Sequence, residues 1–195
     1  MDLSRVYDSI AECWCRRRKK PFDELVKTAR KWKKGLVLDA GCGSARHTAY
    51  LEKQGFRTVG LDFSKNMIKL AKKISKESRY IVADIENLPF KQSSFDYVVC
   101  LAVIHHLKSR AMALKELKQV LKPRGEALFS VWYKPGRKDE YVPWTYNNRK
   151  YLRYYHFFSL PELRKELEKA GFRILNIYLD EKKQNIFALA ANYFR

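Results

Sequence analysis

Short apolar runs alternate with longer amphipathic stretches along most of the chain, and this alternation predicts its strands and helices. Runs rich in Val, Ile and Leu are typical of buried strands, whereas apolar residues three or four positions apart are typical of helices. The first predicted strands are residues 35–40, 56–61, 79–83, 95–103 and 126–132. The predicted helices between them are residues 44–54, 64–75 and 109–121. This order predicts a parallel sheet with helices on both faces.

The pattern changes after Trp132. Residues 133–158 show no clear period, and a helix is predicted over residues 159–170. Two further apolar runs, residues 171–179 and 185–194, are separated by a short polar turn. Strands joined by so short a turn must be antiparallel.

The N-terminal part of the chain differs from the rest. Residues 2–33 are predicted to form two helical segments divided at Pro21. We find no internal repeat and no linker, which favours one domain over residues 1–195. Within it, residues 1–34 form a helical extension and residues 133–158 an insert.

A glycine-containing turn follows the first strand. Asp39, Gly41 and Gly43 lie in the segment DAGCGSA, at a strand end where α/β folds bind ligands. Arg46 stands where the dinucleotide fingerprint needs its third glycine, which counts against a pyrophosphate site. An acidic residue before the turn instead favours a ligand that carries positive charge.

Acidic residues also follow the next two strands. Asp62 is placed to accept hydrogen bonds from ribose hydroxyls, although alone it could equally cap the following helix. Asp84 is placed to accept from an adenine amino group, with Ile85 against the ring. Phe63 and Leu101 complete the candidate site. Three acidic residues at three consecutive strand ends favour S-adenosylmethionine (SAM) as the cofactor.

With these motifs, residues 35–195 resemble the class I SAM-dependent methyltransferases. The resemblance implies a Rossmann-like α/β fold with a seven-stranded, mostly parallel sheet. Its strand order would be 3-2-1-4-5-7-6, with the last strand antiparallel. The chain departs from the commonest glycine motif at Ala45, where a small residue still keeps the helix close.

The segment after the fourth strand contains His105 and His106. Either could be a general base for a hydroxyl acceptor, or one could pack in the core while the other caps a helix. No Asn/Asp-Pro-Pro-aromatic or Pro-Cys motif is present there, which counts against DNA amino- and cytosine-methylation. Cys100 lies in an apolar run and is predicted to be a buried strand residue.

Sequence blocks outside the cofactor segment resemble a narrower family. The blocks are VYDSIA (6–11), RRRKKPF (16–22), IHHL (104–107), YVPW (141–144) and RYYHFF (153–158), with Trp14 and the strand end Val131-Trp132. Together they resemble the tRNA wobble-uridine carboxymethyl methyltransferases. That family esterifies the carboxylate of 5-carboxymethyluridine at the wobble position of the anticodon.

This resemblance implies a mechanism and a set of site residues. A carboxylate has a pKa near 4 and needs no general base at neutral pH, so catalysis would come from positioning and partial desolvation. The candidate catalytic residues are His106, His105, Tyr7 and His156. The candidate RNA-binding residues are Arg16, Arg17, Arg18, Lys19, Lys20, Trp144, Arg153 and Tyr155.

The charge of the chain supports an RNA substrate. The formal net charge is +19, from 40 Lys+Arg and 21 Asp+Glu. Residues 1–34 carry 11 basic and 5 acidic residues, and residues 133–158 carry 6 and 2. Aromatic residues interleave with basic ones in the second segment, as binding of an anticodon loop requires. Alternatively, these aromatics could pack on the sheet, and the basic run at 16–20 could be a solvated helix end.

The resemblance also implies a partner, since this family often works with a small zinc-binding activator. Strand 79–83 would be the edge that pairs with it. The cysteines match no zinc pattern, so we expect no bound metal. No run approaches a membrane span and the N-terminus is not a secretory signal, so we expect a cytoplasmic protein. Two alternatives are a quinone- or lipid-type methyltransferase and a non-catalytic RNA-binding protein of the same fold.

Overall fold

The computed structural model describes residues 3–193, so positions 2 and 194 of the predicted terminal elements lie outside the described residues. The helices in this range are α1 (Leu3–Arg17), α2 (Asp23–Ala29), α3 (Arg46–Lys53), α4 (Lys65–Ile74), α5 (Ala111–Val120) and α6 (Leu160–Lys169). The strands are β1 (Leu36–Ala40), β2 (Arg57–Asp62), β3 (Arg79–Val82), β4 (Phe95–Leu101), β5 (Leu121–Trp132), β6 (Asp139–Tyr146), β7 (Arg149–His156), β8 (Arg173–Leu179) and β9 (Asn185–Ala191). None of these helices is long and apolar enough to cross a membrane.

Seven strands form one sheet in the order β3-β2-β1-β4-β5-β9-β8. The neighbours from β3 to β5 are parallel, whereas β9 runs antiparallel to both β5 and β8. Because β6 and β7 pair only with each other, the sheet strands counted along the chain have the order 3-2-1-4-5-7-6. The predicted fold class and strand order are therefore confirmed.

The helices cover both faces of this sheet. Leu117 of α5 belongs to a core cluster that includes α6, and Leu25 of α2 belongs to a second cluster with α3. The helix α1 packs on α4 through Ile10 and Met67. Asp8 fastens this contact, because its Oδ1 accepts hydrogen bonds from Ser64 Oγ at 2.6 Å and from the Asn66 backbone N–H at 2.9 Å.

Several strand ends differ from the sequence prediction, and the structure shows the reason for two of the differences. The strand β4 stops at Leu101 because Ala102 adopts a left-handed φ of 62°, which ends the extended backbone before residue 103. The strand β5 begins at Leu121, earlier than predicted, since Leu121 pairs with Phe95 before the register shifts. The hydrophobic pattern alone reports neither this backbone conformation nor this pairing.

The insert 133–158 contains regular structure that the sequence pattern did not predict. It folds as the hairpin β6–β7, in which Asp139 pairs with His156 at one end and Tyr146 with Arg149 at the other. The turn residues Asn147 and Asn148 have φ values of 48° and 55°, the left-handed pair that a two-residue hairpin turn requires. Bulky residues on both faces of the hairpin hide the two-residue period of its strands.

Candidate active site

The glycine turn after β1 forms the floor of the candidate site. Gly41 has a φ of 78°, and an added Cβ would lie 2.3 Å from Val103 Cγ2, so only glycine fits. Gly43 has a φ of 54°, but its Cβ would meet no atom within 4 Å. The Gly41 N–H donates to the Leu61 carbonyl at 2.7 Å, which ties the turn to β2. The backbone at Gly43 is thereby left open to a ligand.

A narrow cavity of about 70 Å³ adjoins this turn. Of the predicted cofactor residues, its walls include Gly41, Gly43, Asp62, Phe63 and Leu101. The remaining walls include Tyr7, Trp14, Arg18, Arg46, His47 and His106. This volume is below the roughly 300–1,000 Å³ of most ligand pockets, so only part of a ligand of nucleoside size fits within it.

Two buried carboxylates stand on the β1 and β2 side. Asp62 accepts the backbone N–H groups of Gly43 and Ser64, each at 2.9 Å, and Asp39 accepts Thr48 Oγ1 at 2.6 Å. Burial raises the pKa of each carboxyl group to about 6. Both are therefore mostly ionised at neutral pH. Asp62 lines the cavity, whereas Asp39 lies buried behind the turn.

The structure does not bring the third predicted acid into the cavity. Asp84 is exposed, and its Oδ1 accepts the Glu86 backbone N–H at 2.9 Å in a local turn. Ile85 is buried in the core rather than presented to the cavity. The predicted adenine contacts of Asp84 and Ile85 thus have no counterpart among the described cavity walls.

His106 and Tyr7 meet at the opposite wall. His106 Nδ1 lies 2.8 Å from the Tyr154 carbonyl oxygen, which can only accept, so Nδ1 carries the proton. Nε2 is then an acceptor, and Tyr7 Oη, at 2.9 Å, donates to it. Burial lowers the pKa of His106 to about 4 and raises the pKa of Tyr7 well above its ordinary value. The pair is neutral at pH 7, and His106 is a weak base.

The other two predicted catalytic histidines are engaged elsewhere. His105 is buried, stacks on Tyr155 with ring centroids 5.1 Å apart, and accepts the Trp132 backbone N–H at 3.3 Å. Burial lowers the pKa of His105 well below its ordinary value. His156 lies outside the cavity walls, with its ring nitrogens 2.9 Å from Asp139 and 2.8 Å from Glu162. Of the three histidines, only His106 faces the cavity.

An arginine–tryptophan cluster adjoins the cavity; its members are Trp14, Arg17, Arg18, Trp144 and Arg153. The Arg153 guanidinium lies 5.4 Å from the Trp14 ring centre and 5.0 Å from that of Trp144. Arg18 stacks on Trp14 at 5.0 Å, and Arg17 on Trp144 at 5.2 Å. Each contact is a cation–π interaction, and together they join α1 to the hairpin.

Arg153 is the least expected member of this cluster. It is 3% exposed, its Nη1 donates to Tyr155 Oη at 2.7 Å, and its Nε has no partner. No carboxylate pairs with it in the part of the chain that the structure describes. Tyr155 is 1% exposed. Neither residue presents a surface to RNA here, so the structure does not place them where direct RNA contact was predicted.

The basic run 16–20, which begins in the last turn of α1, divides between several surroundings. Arg18 lines the cavity, and Arg17 belongs to the cluster with Trp144. Arg16 is exposed and lies 3.6 Å from Glu12. Lys19 and Lys20 are also exposed. The run is thus partly a solvated helix end and partly a wall of the site.

Two cavity residues escaped the sequence analysis as ligand contacts. Arg46, the first residue of α3, lies 4.6 Å over the Phe22 ring, and burial with the nearby Arg18 lowers its pKa to about 10. His47 Nε2 is buried without a hydrogen-bond partner. In the sequence, position 46 argues against a dinucleotide site because it lacks a glycine, and a cation at a helix start beside a ligand turn is a further signal.

The polar groups of this cavity fit SAM. Asp62 can accept from ribose hydroxyls, and the open backbone at Gly43 admits close approach. Arg18 and Arg46 offer cations to the carboxylate of an amino-acid group, and the ionised Asp39 and Asp62 supply the negative field that suits its ammonium and sulfonium. Among the described residues, no group of His, Cys, Asp and Glu could hold a metal ion.

Comparisons with known proteins agree with SAM as the cofactor. Residues 38–129 match the family model described as "Methyltransferase domain". A tRNA (carboxymethyluridine(34)-5-O)-methyltransferase from Schizosaccharomyces pombe is 30% identical over 89% of each chain. Among solved structures, 1,6-didemethyltoxoflavin-N1-methyltransferase from Burkholderia thailandensis, solved with S-adenosylhomocysteine, has a TM-score of 0.76 and 22% identity. The match covers 99% of this chain and 86% of that protein. A putative methyltransferase solved with the Haloferax volcanii Trm112 methyltransferase activator has a TM-score of 0.78 and 17% identity. This match covers 100% of this chain and 99% of that protein.

The fold and the cavity define a class I SAM-dependent methyltransferase. The likeness to the two solved structures shows this fold, and the likeness in sequence is more specific. The chain belongs to the tRNA carboxymethyluridine methyltransferase family.

Proposed function

We propose that this enzyme transfers the methyl group of SAM to the carboxylate of a 5-carboxymethyl-type uridine at the wobble position of tRNA. The proposal draws on the name of the Schizosaccharomyces pombe relative and on the chemistry of the cavity. Four unpaired cysteines accord with a cytoplasmic enzyme, because disulfides are rare in that compartment.

The observation that carries the proposal is a His106–Tyr7 wall that supplies no strong base, beside a buried cation that pairs with no described carboxylate. His106 has a pKa of about 4, and Tyr7 keeps its proton, so neither removes a proton from an alcohol at neutral pH. An acceptor that is already anionic needs no such base. The buried Arg153 guanidinium has aromatic and hydroxyl partners but no described carboxylate, and an anion bound nearby would stabilise it further.

The position of Arg153 suits an ester-forming reaction. Bound SAM supplies an electrophilic methyl group, and the charges of carboxylate and sulfonium disappear as the ester forms. A cation in direct contact with the reacting oxygen would stabilise the ground state more than the transition state. Arg153 instead adjoins the cavity through Trp14 and Tyr7, so it attracts the anion from behind these rings. Tyr7 and His106, held by hydrogen bonds, orient the acceptor.

The proposal is tested by incubation of the enzyme with bulk tRNA and SAM labelled in its methyl group. We expect the label in one uridine derivative, released by mild alkali because it is held as an ester. Label that resists alkali would overturn ester formation. Transfer to a quinone or lipid fraction but not to tRNA would favour a small-molecule methyltransferase. Tight RNA binding without transfer, even with the activator added, would indicate a non-catalytic protein.

The partner proposed for this enzyme is a small zinc-binding activator at the β3 edge. The strand β3 pairs with β2 along one side only, and Val82 of β3 and Ile74 of α4 are 44% and 48% exposed. An apolar edge strand invites pairing with another chain. The fold relative solved with the Trm112 methyltransferase activator supports this choice of partner.

Two edge variants test the activator surface. Val82→Lys should abolish stimulation by the activator and leave S-adenosylhomocysteine binding unchanged. Leu175→Lys is the matched control, since Leu175 is 41% exposed on β8 at the other sheet edge. Equal loss of stimulation in both variants, or in neither, would exclude the β3 edge as the docking surface.

A further inference from the structure

The two faces of the hairpin β6–β7 have different surroundings. Residues opposite each other in an antiparallel pair share a face. Trp144 and Tyr151 are such a pair, and both pack against the cluster around α1. Tyr141 and Tyr154 are a pair on the opposite, outer face. Tyr141 is 55% exposed, so the outer face presents an aromatic surface to solvent.

The outer tyrosine pair is held in place. Its rings meet edge to face with centroids 5.9 Å apart. Tyr154 Oη donates to Asp139 Oδ1 at 2.6 Å, and Lys108 Nζ lies 5.9 Å from the Tyr154 ring centre. The backbone carbonyl of Tyr154 accepts from His106, so the outer face adjoins the wall of the active site. A rigid aromatic pair next to an active site is suited to stacking on a planar group.

Tyr141 also lines a large open groove of about 980 Å³. The groove lies between residues 18–27, 132–143 and 180–185. Its cations are Arg18, Lys20, Lys27, Lys134, Lys182 and Lys183. Because Arg18 lines the cofactor cavity as well, the groove and the cavity meet at this residue.

Five acidic residues on the groove walls offset most of this charge and leave a net charge of +1 among the residues that line it. Glu140 pairs with Lys134 and Arg137, and Asp180 accepts N–H groups of its own turn. Asp23, Glu24 and Glu181 complete the acidic residues on its walls. Lys182 and Lys183 stand together on the β8–β9 turn, and neither forms an ion pair with a described residue. The groove therefore presents phosphate-binding cations beside an exposed aromatic ring.

We propose that this groove binds the single-stranded RNA next to the reacting nucleotide, with an unpaired base stacked on Tyr141 and phosphates near Lys182 and Lys183. The inference rests on the proposed function and names the RNA surface of the same site. Stacked aromatics with nearby cations are the usual means of holding unpaired nucleotides. It also assigns RNA contact to the outer face of the hairpin rather than to the buried Arg153 and Tyr155.

Two variants of the full chain test the groove, with an anticodon stem-loop RNA as the probe. Tyr141→Ala should weaken RNA binding about 5- to 150-fold, the range for loss of one stacked base. The double variant Lys182→Gln/Lys183→Gln should lower the slope of log K against log salt concentration by about 1 to 2. S-adenosylhomocysteine affinity should stay unchanged in both, which shows that the fold is intact.

Matched controls lie far from the groove. Tyr193→Ala removes a tyrosine that is 43% exposed just beyond the end of β9, and Lys72→Gln/Lys73→Gln removes adjacent exposed charges from the last turn of α4. Both controls should bind the RNA like the wild type. If the wild type methylates tRNA but all four variants bind RNA equally, the groove proposal fails while the proposed function stands. If Tyr141→Ala instead changes only self-association, the surface is a protein contact and the inference is wrong.

Discussion

Replacement of Arg46 is the sharpest test of the cofactor site, because Arg46 stands at the start of α3 against the cavity. Its guanidinium is assigned to the carboxylate of the amino-acid part of SAM. A charge pair at about 4 Å gains about 4 kcal/mol at an effective dielectric constant of 20. Desolvation reduces this gain, and hydrogen bonds to charged groups are worth about 1.5–3 kcal/mol net. Arg46→Gln should therefore weaken binding of S-adenosylhomocysteine by about 10- to 150-fold.

The assay is calorimetry with two ligands. S-adenosylhomocysteine has the amino-acid group, whereas 5′-methylthioadenosine has the same nucleoside and thioether without it. Arg46→Gln should lose affinity for the first ligand and bind the second like the wild type. Lys53→Gln, a change at the exposed end of the same helix, should affect neither. Equal loss for both ligands would show that Arg46 only supports the fold, and no loss for either would refute its assignment.

Three further predictions concern the buried carboxylates, the glycine turn and the packing of α1. Burial raises the pKa of Asp39 and Asp62 to about 6, so lowering the pH from 7.5 to 5 protonates both carboxylates. S-adenosylhomocysteine should then bind at least about tenfold more weakly. An affinity that calorimetry finds unchanged over this pH range would contradict the prediction. Gly41→Ala should lower the free energy of unfolding in urea by about 2–5 kcal/mol, because the new Cβ meets both a positive φ and a neighbouring side chain. Gly43→Ala should lower it by only about 1–2 kcal/mol, because its Cβ meets the positive φ alone. Equal losses in the two variants would disprove the difference in crowding. Asp8→Ala should lower the free energy of unfolding by about 1–2 kcal/mol and speed amide hydrogen exchange in α1, and Asp8→Asn should have a smaller effect on both. Unchanged exchange in α1 would show that Asp8 does not hold this helix.

The order of the sheet and the position of the cofactor turn could be predicted from the sequence because they depend on local patterns. The alternation of strands and helices dictates parallel neighbours, and Gly41 marks a backbone that no other residue fits. The hairpin β6–β7 was missed because large residues occupy both of its faces. Its Asn147–Asn148 turn was the local signal that could have revealed it.

The roles of individual site residues depended on contacts between distant segments. His105 and His106 are adjacent, yet Trp132 holds one in the core and Tyr7 holds the other at the cavity. Similarly, the inward orientation of Arg153 follows from the register of the hairpin. No local pattern contains this information, so the sequence alone left both histidines open.

The proposed acceptor is a carboxylate that is already ionised, which the site would position without supplying a base. The most direct test compares two anticodon stem-loops that differ in one group, a carboxymethyl or a carbamoylmethyl substituent on the wobble uridine. Labelled methyl transfer under single-turnover conditions is predicted for the acid alone, because the amide has the same size but no charge. Transfer to both at similar rates, or to neither while another class of acceptor is methylated, would contradict the claim.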